Sequence, residues 1–233
     1  MKSFFISICL IVGIGFSGFA QDDTEEYTTI ITKKEGNNTK VSGFGGITTE
    51  FSQVDGNFGF SLGGQAAVLI NRSVFIGFYG QGVVNFPRYE LTIYSEKLNN
   101  NIVLPKNLIF FHAGIYTGYV FMPEKPFHFG LSAKFGWGGI TLIDEFYNYS
   151  SNNNSYNTDV VDFIFAITPQ AEFEMNITNW FKLNMGVGYR FVTGVDAKYT
   201  LLTDDGLEIR EYFASDAMDS MTFSVGFLFG WYK

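Results

Sequence analysis

The 233-residue chain carries only two histidines, His112 and His128. A hydrolytic site would have to be built on one of them, with a nucleophile, a base and an acid within mutual reach. Ser132 falls on the same face of an extended segment as His128, but one rung of the strand intervenes and no acid is obviously placed, so the geometry that catalysis needs is not in view. A metal site asks for three or four converging ligands, which two separated imidazoles do not supply. Cys9 is the single cysteine. It lies inside an apolar N-terminal run, so a disulfide framework or thiolate ligand set is not expected. The glycine clusters Gly43-Phe44-Gly45-Gly46 and Gly186-Val187-Gly188 are not followed by a helix, as a phosphate-cradling loop requires. Triplets such as Asn71-Arg72-Ser73 are what an Asn-rich chain generates by chance. The sequence therefore predicts no catalytic, cofactor or metal residues and no enzymatic activity.

The charged residues are more informative. If the chain reverses symmetrically about Thr178, Glu174 falls opposite Lys182 and Glu172 opposite Asn184. Glu50, Lys134 and Arg190 share the same side of their own segments, and register alone decides whether they meet. Glu50, Lys134, Glu172, Glu174, Lys182 and Arg190 are thus the expected members of an internal polar network. Charges drawn into a narrow interior must be paired and hydrogen-bonded. An ion gate is the functional alternative to a structural plug, and the little space inside a small barrel favours the plug.

The elements that position these side chains are strands. Apolar residues alternate with small or polar ones at a period of two in eight segments, near 40–52, 56–70, 73–86, 107–122, 126–142, 159–176, 180–199 and 218–232. One face gathers Phe58, Phe60 and Leu62; Phe111, Ile115 and Phe121; Phe127, Phe129 and Phe135; Phe163, Phe165 and Phe173; Leu183, Val187 and Phe191. The opposite face holds Gln65, both histidines, Asp162, Gln170 and the six charges above. The third segment is hardest to sort, because Tyr79, Val83 and Val84 blur its faces. With 27 Phe, 13 Tyr and 26 Gly against only 16% charged residues, the chain is poor in charge beside the roughly 25% of average soluble domains. Beyond the N-terminus no apolar run is long enough for a membrane helix. A closed β-barrel can still span a bilayer, since every backbone group is satisfied between strands. Sorting the charges to one parity avoids about 2–4 kcal/mol for each Lys or Arg that would otherwise meet lipid. Bulk decides which face is inside: the aromatic set is expected outward, and the small residues inward.

The connections alternate in length. Asn71-Arg72, Pro123–Pro126 and Thr178-Asn179 are tight, whereas 86–106, 143–158 and 200–217 are long and polar, with a low-complexity tip at Ser150–Ser155. The turn Gln53–Gly56 breaks the trend by being short. Short periplasmic turns and longer extracellular loops are the habit of bacterial barrels. The N-terminus fits that compartment. Lys2, an apolar run from Phe4 to Phe16 and the small-x-small site Gly18-Phe19-Ala20 form the pattern of a cleavable secretory signal. Residues 21–38 read as a polar periplasmic lead-in and 39–233 as the barrel. Removal of 1–20 leaves 14 basic against 23 acidic residues, a net charge of −9, which argues against a nucleic-acid partner.

At this point the chain resembles the small outer-membrane β-barrel proteins of Gram-negative bacteria, through its leader, its alternating segments and the aromatic end Phe227-Leu228-Phe229-Gly230-Trp231. Val41-Ser42-Gly43-Phe44-Gly45-Gly46 and Gly188–Gly194 make it similar to uncharacterised barrels of Bacteroidota. The resemblance implies that the last strand, with Phe223, Val225, Phe227, Phe229 and Trp231 on one face, is the signal read by the barrel-assembly machinery. Here Tyr232-Lys233 follow the last aromatic of that face, a departure from the usual terminal Phe. The expectation is an all-β chain: a single eight-stranded antiparallel transmembrane barrel in the outer membrane, with lipid and the assembly machinery as partners. Its leading role is structural or surface-interacting through the loops, with an unidentified extracellular partner. A small channel is the second reading and a lipid-modifying enzyme the third.

Overall fold

The computed structural model describes residues 39–95, 99–144, 159–203 and 206–232. The expected leader 1–20, the expected lead-in 21–38 and the expected tip Ser150–Ser155 lie outside the described residues. Eleven strands are present among those described: β1 Val41–Val54, β2 Asn57–Ile70, β3 Val74–Val83, β4 Arg88–Ser95, β5 Asn100–Phe121, β6 Phe127–Asp144, β7 Asp159–Asn176, β8 Phe181–Thr193, β9 Lys198–Thr203, β10 Gly206–Glu211 and β11 Ser220–Gly230. Each of the eight alternating segments supplies a barrel strand. The hydrogen-bonded order runs β3-β2-β1-β11-β8-β7-β6-β5, and β3 pairs back onto β5 to close the ring. Every barrel pairing is antiparallel. Closure leaves no sheet edge within the wall.

Two of the long connections are not plain loops. After a break at 84–87, β4 continues the line of β3 and pairs with the first third of β5, from Arg88↔Asn107 to Ser95↔Asn100. The segment expected at 180–199 stops at Thr193, where Gly194 turns the chain at φ +94°. Beyond it, β9 and β10 form a separate two-stranded hairpin. The short turn at Asp55-Gly56 has φ of 49° and 72° at its two residues, the two-residue reversal whose twist suits antiparallel strands.

Parity sorts the wall as expected. Glu50, Lys134, Asp162, Glu172, Glu174, Lys182 and Arg190 are all buried within the ring, and Lys106 is buried beneath the crest where β5 pairs with β4. The outer surface is apolar, with Phe78 73% and Phe163 85% exposed. Its aromatics gather in two bands. Phe127, Phe129, Phe173, Trp180, Phe181 and Phe229 stack across strands at the tight-turn end. Phe51, Phe58, Phe60 and Phe223 do so toward the other end, beside the pairs Trp137–Phe165 and Tyr189–Phe191. An apolar belt between aromatic girdles is the outer face of a lipid-embedded barrel.

The expectation that large residues stay outside needs correction. Phe44, Phe75, Tyr79, Phe110 and Tyr116 all point inward and are buried. Tyr79 and Val83, which blur the third segment in sequence, belong to this inner face. Inner glycines make the room. A Cβ on Gly118 would meet the Phe75 ring at 2.5 Å, and one on Gly136 would collide with the Tyr79 hydroxyl. The lumen is thus a packed core in which large side chains face small ones across strands.

Candidate functional site

The lumen holds two polar layers between two apolar ones. The lower layer, nearer the tight turns, is built by β5, β6, β7 and β8. Glu174 Oε2 accepts from Lys182 Nζ at 3.0 Å and faces His128 Nε2 at 2.8 Å, while Glu174 Oε1 accepts from Asn184 at 3.4 Å. Glu172 Oε1 accepts from the Tyr116 hydroxyl at 2.8 Å and from the Ser132 hydroxyl, and its Oε2 accepts from Asn184 at 3.1 Å. The register differs from the symmetric expectation. Glu174 lies opposite Asn184, Glu172 opposite Gly186 and Lys182 opposite Asn176, so the hairpin is centred on Asn179 and not on Thr178. In the turn itself the Thr178 hydroxyl accepts from the Trp180 and Phe181 amides. Lys182 nevertheless reaches Glu174 diagonally.

The upper layer gathers Glu50, Lys134 and Arg190 from three strands that are far apart in sequence. Glu50 Oε1 sits 3.2 Å from Arg190 Nη1. Its Oε2 lies 3.6 Å from Lys134 Nζ, an ion-pair distance but too long for a hydrogen bond. Arg190 also donates to the Met218 and Gln53 carbonyls at 3.0 and 2.8 Å and to the Ser52 hydroxyl at 3.2 Å. Its guanidinium lies over the Phe110 ring at 4.8 Å. Lys134 donates to Gln81 Oε1 at 3.1 Å, and the Gln81 amide nitrogen faces His112 Nε2 at 3.3 Å. That orientation fixes the imidazole: Nε2 accepts, leaving Nδ1 to donate to the Tyr79 hydroxyl at 2.8 Å.

The chemistry these groups can do is limited by their partners. His128 has an acid beside it, and so does Ser132, which corrects the reading that no acid is placed. The two are not joined, however. His128 spends its nitrogens on Glu174 and on the Lys125 carbonyl, and Ser132 donates to Glu172. The carboxylate facing the Ser132 hydroxyl is itself held by Tyr116 and Asn184, and no histidine links it to the serine. Among the described residues no group of three or more His, Cys, Asp or Glu is placed to hold a metal.

Apolar plugs close both ends. At the tight-turn end Phe44, Leu69, Phe75, Tyr116, Val120 and Leu228 pack together with Tyr232 against them, and the Tyr232 ring lies 4.2 Å from Lys182 Nζ. At the loop end Val54, Leu108, Phe110, Ile140, Leu142 and Ile164 meet Val195, Phe213 and Met218, which the segment between β8 and β11 folds inward. Tyr89 of β4 packs edge-on against Phe213, and its hydroxyl is pushed up to about 12 by burial. The sequence reading missed Tyr79, Gln81, Tyr116 and Phe213. Tyr116 shares its parity with His112, a signal that was available. The inward fold of Phe213 has no periodic signature.

A closed eight-stranded antiparallel ring with a girdled apolar exterior and a packed lumen defines a small transmembrane β-barrel, of the kind built with short turns on one side and longer connections on the other. Among solved structures the chain is similar to Neisserial surface protein A, with 11% identity, a TM-score of 0.51 and 83% of this chain and 99% of that one covered. It is similar also to a major outer membrane protein from Thermus thermophilus (8% identity, TM-score 0.45, 81% and 99% covered) and to the N-terminal β-barrel domain of Pseudomonas aeruginosa OprF (13%, 0.40, 82% and 99%). At 11% identity the likeness to Neisserial surface protein A is one of fold. No protein-family model and no curated protein matches the chain.

Proposed function

We propose that this chain is an outer-membrane barrel with a non-enzymatic role, structural or surface-interacting, carried by its loop end. The supporting observation is the state of the lumen. Each of the six network charges is buried and has an ionic or hydrogen-bonding partner within the ring, and both ends are closed by apolar clusters. A pore needs a continuous wet path, and hydrolysis needs a base free to take a proton. Neither fits a lumen packed this way. Among the described residues, the accessible parts at the loop end belong to the crest formed by β4, the start of β5, β9 and β10.

In this reading residues 1–20 are a leader removed after Ala20, 21–38 are a periplasmic lead-in and 39–233 insert into outer-membrane lipid. The strand bearing Phe223, Val225, Phe227, Phe229 and Trp231 is the segment offered to the assembly machinery. Its position supports this, because β11 joins β1 to β8 and so completes the ring. The kinship with Bacteroidota barrels belongs to the same proposal and rests on the segments at 41–46 and 188–194. The test is fractionation, then gel mobility of boiled against unboiled protein, then planar-bilayer recording. The expected result is recovery with the outer membrane, a heat-dependent shift and no steady conductance. Recovery as a soluble periplasmic protein would overturn the membrane assignment, and a stable conductance altered by Lys134→Ala would replace the closed barrel with a channel.

A further inference from the structure

The hairpin β9–β10 leaves one strand edge unpartnered among the described residues. β9 is flanked on its outer side by the β4–β5 crest, where the Asn101 side chain bonds both the amide and the carbonyl of Leu202, at 2.9 and 2.7 Å. β10 pairs only with β9. The Tyr212 amide donates to the Ala197 carbonyl at 3.0 Å, which sets the alternation. Even-numbered residues of β10 bond inward to β9, so Leu207, Ile209 and Glu211 aim their backbone N–H and C=O groups away from it. Two of these carry large apolar side chains in the open, Leu207 at 60% and Ile209 at 70% exposure. An exposed, unpaired edge of this kind is a template for another strand.

The residues between them say which strand fits. Glu208 and Arg210 are half-exposed and share the other face of β10, where they bond each other at 2.9 Å. We propose that β10 pairs with β10 of a second copy of this chain, antiparallel about a two-fold axis through Ile209. In that register Ile209 faces its own image in a hydrogen-bonded pair, and Leu207 faces Glu211 of the other copy. Glu208 faces Arg210 of the other copy twice, once on each side of the axis. The adjacent registers allowed by the backbone alternation are centred on residue 208 or 210. They place Glu208 against Glu208 or Arg210 against Arg210, and like charges directly opposite are destabilising. The charge order along β10 therefore selects one self-complementary register and rejects its neighbours. A two-fold contact of identical patches closes as a dimer and does not propagate.

This inference deepens the surface-interaction reading by naming the partner, and it rests on the barrel being membrane-inserted with its crest free. The mature chain, without the leader that carries Cys9, is expected to lack cysteine, which gives a direct test on the mature protein in detergent, where the barrels can adopt whatever mutual orientation the two-fold demands. Opposed residues in a hydrogen-bonded pair have Cα atoms about 5.5 Å apart, within disulfide range. Ile209→Cys is expected to yield a disulfide-linked dimer under mild oxidation, whereas Glu90→Cys, exposed on β4, stays monomeric. By sedimentation equilibrium, Glu208→Arg and Arg210→Glu are each expected to weaken dimerisation about tenfold, and the charge-swapped double variant to restore it. A monomeric Ile209→Cys, or single variants that dimerise like the parent, would overturn self-pairing. Boiled and unboiled mobility is read on each variant. A retained shift with no dimer sinks this inference alone, whereas loss of the shift in the parent sinks the membrane-barrel reading beneath it.

Discussion

Arg190 shows how a buried charge can be tolerated inside a barrel. Five donors are presented in a fixed fork, and the fork is met by the Glu50 carboxylate, the Ser52 hydroxyl and two backbone carbonyls, with Phe110 beneath the plane. Truncating one member of such a set leaves an uncompensated charge and costs about 3–5 kcal/mol, while replacing both partners with apolar groups is often neutral. Arg190→Leu should therefore lower the urea midpoint of the refolded barrel sharply, and Glu50→Leu and Lys134→Leu added together, which remove the remaining charges of the set, should recover most of the loss. Additive losses would show that the three do not act as a set. Inner rings obey a different rule, steric and not electrostatic. A Cβ on Gly136 strikes the Tyr79 hydroxyl, and overpacking of this sort costs about 1–3 kcal/mol. Gly136→Ala is expected to destabilise by that amount, with partial rescue by Tyr79→Phe, because the hydroxyl is the atom struck. No rescue would place the strain on the backbone. The inward charges were legible in sequence, since lipid forbids them the other parity. The inward rings were not, because a glycine on one strand admits a ring from another and period-two alternation carries no record of that exchange.

At the scale of elements, what was legible was what lipid enforces. β7 spans Asp159–Asn176 as its alternation predicts, and β1, β2 and β11 fall within two residues of expectation. Where lipid ends, so does the signal. The stretches 86–106 and 200–217 are polar and read as loops, yet each contributes strands, because their pairings lie outside the bilayer and need no apolar face. The β7–β8 register departs from the symmetric expectation by one residue at the apex, because alternation fixes which face a residue takes but not the residue about which a hairpin turns. The junction between β8 and β9 makes a sharper test. Gly194 sits at φ +94°, and a Cβ there would strike the Phe163 carbonyl. A non-glycine residue held in such a region costs of order 1–3 kcal/mol. Gly194→Ala should loosen the inward fold of Val195, Phe213 and Met218, seen as faster protease cleavage within 198–211, while the heat-dependent mobility shift of the barrel persists. Unchanged cleavage would mean that the loop-end cluster does not depend on that turn.

For the whole molecule the decisive quantity is which side of the wall meets hydrocarbon. A soluble barrel of the same strands would turn its apolar face inward and its charges to water. Here seven charged side chains are buried in the ring while Phe78, Phe163 and their neighbours stand outside. Phe78 lies opposite Ala66 on one side and Ile115 on the other, in the middle of its strand and far from either aromatic band. Leu207 is as apolar and nearly as exposed, but it sits on the hairpin that the wall does not include. The two positions separate exposure to lipid from exposure as such. In reversible folding into lipid vesicles, Phe78→Arg should cost about 2–4 kcal/mol, the value for a cation on the lipid face at mid-depth, and Leu207→Arg should fold with the parent. Equal and small effects at both positions would mean that the belt meets water, and the interior of the ring would then have to be reconsidered as the part of the molecule that selects a ligand. Equal and large effects would carry the membrane boundary up over the crest and bury the edge of β10 in lipid, where no second strand could reach it from solution.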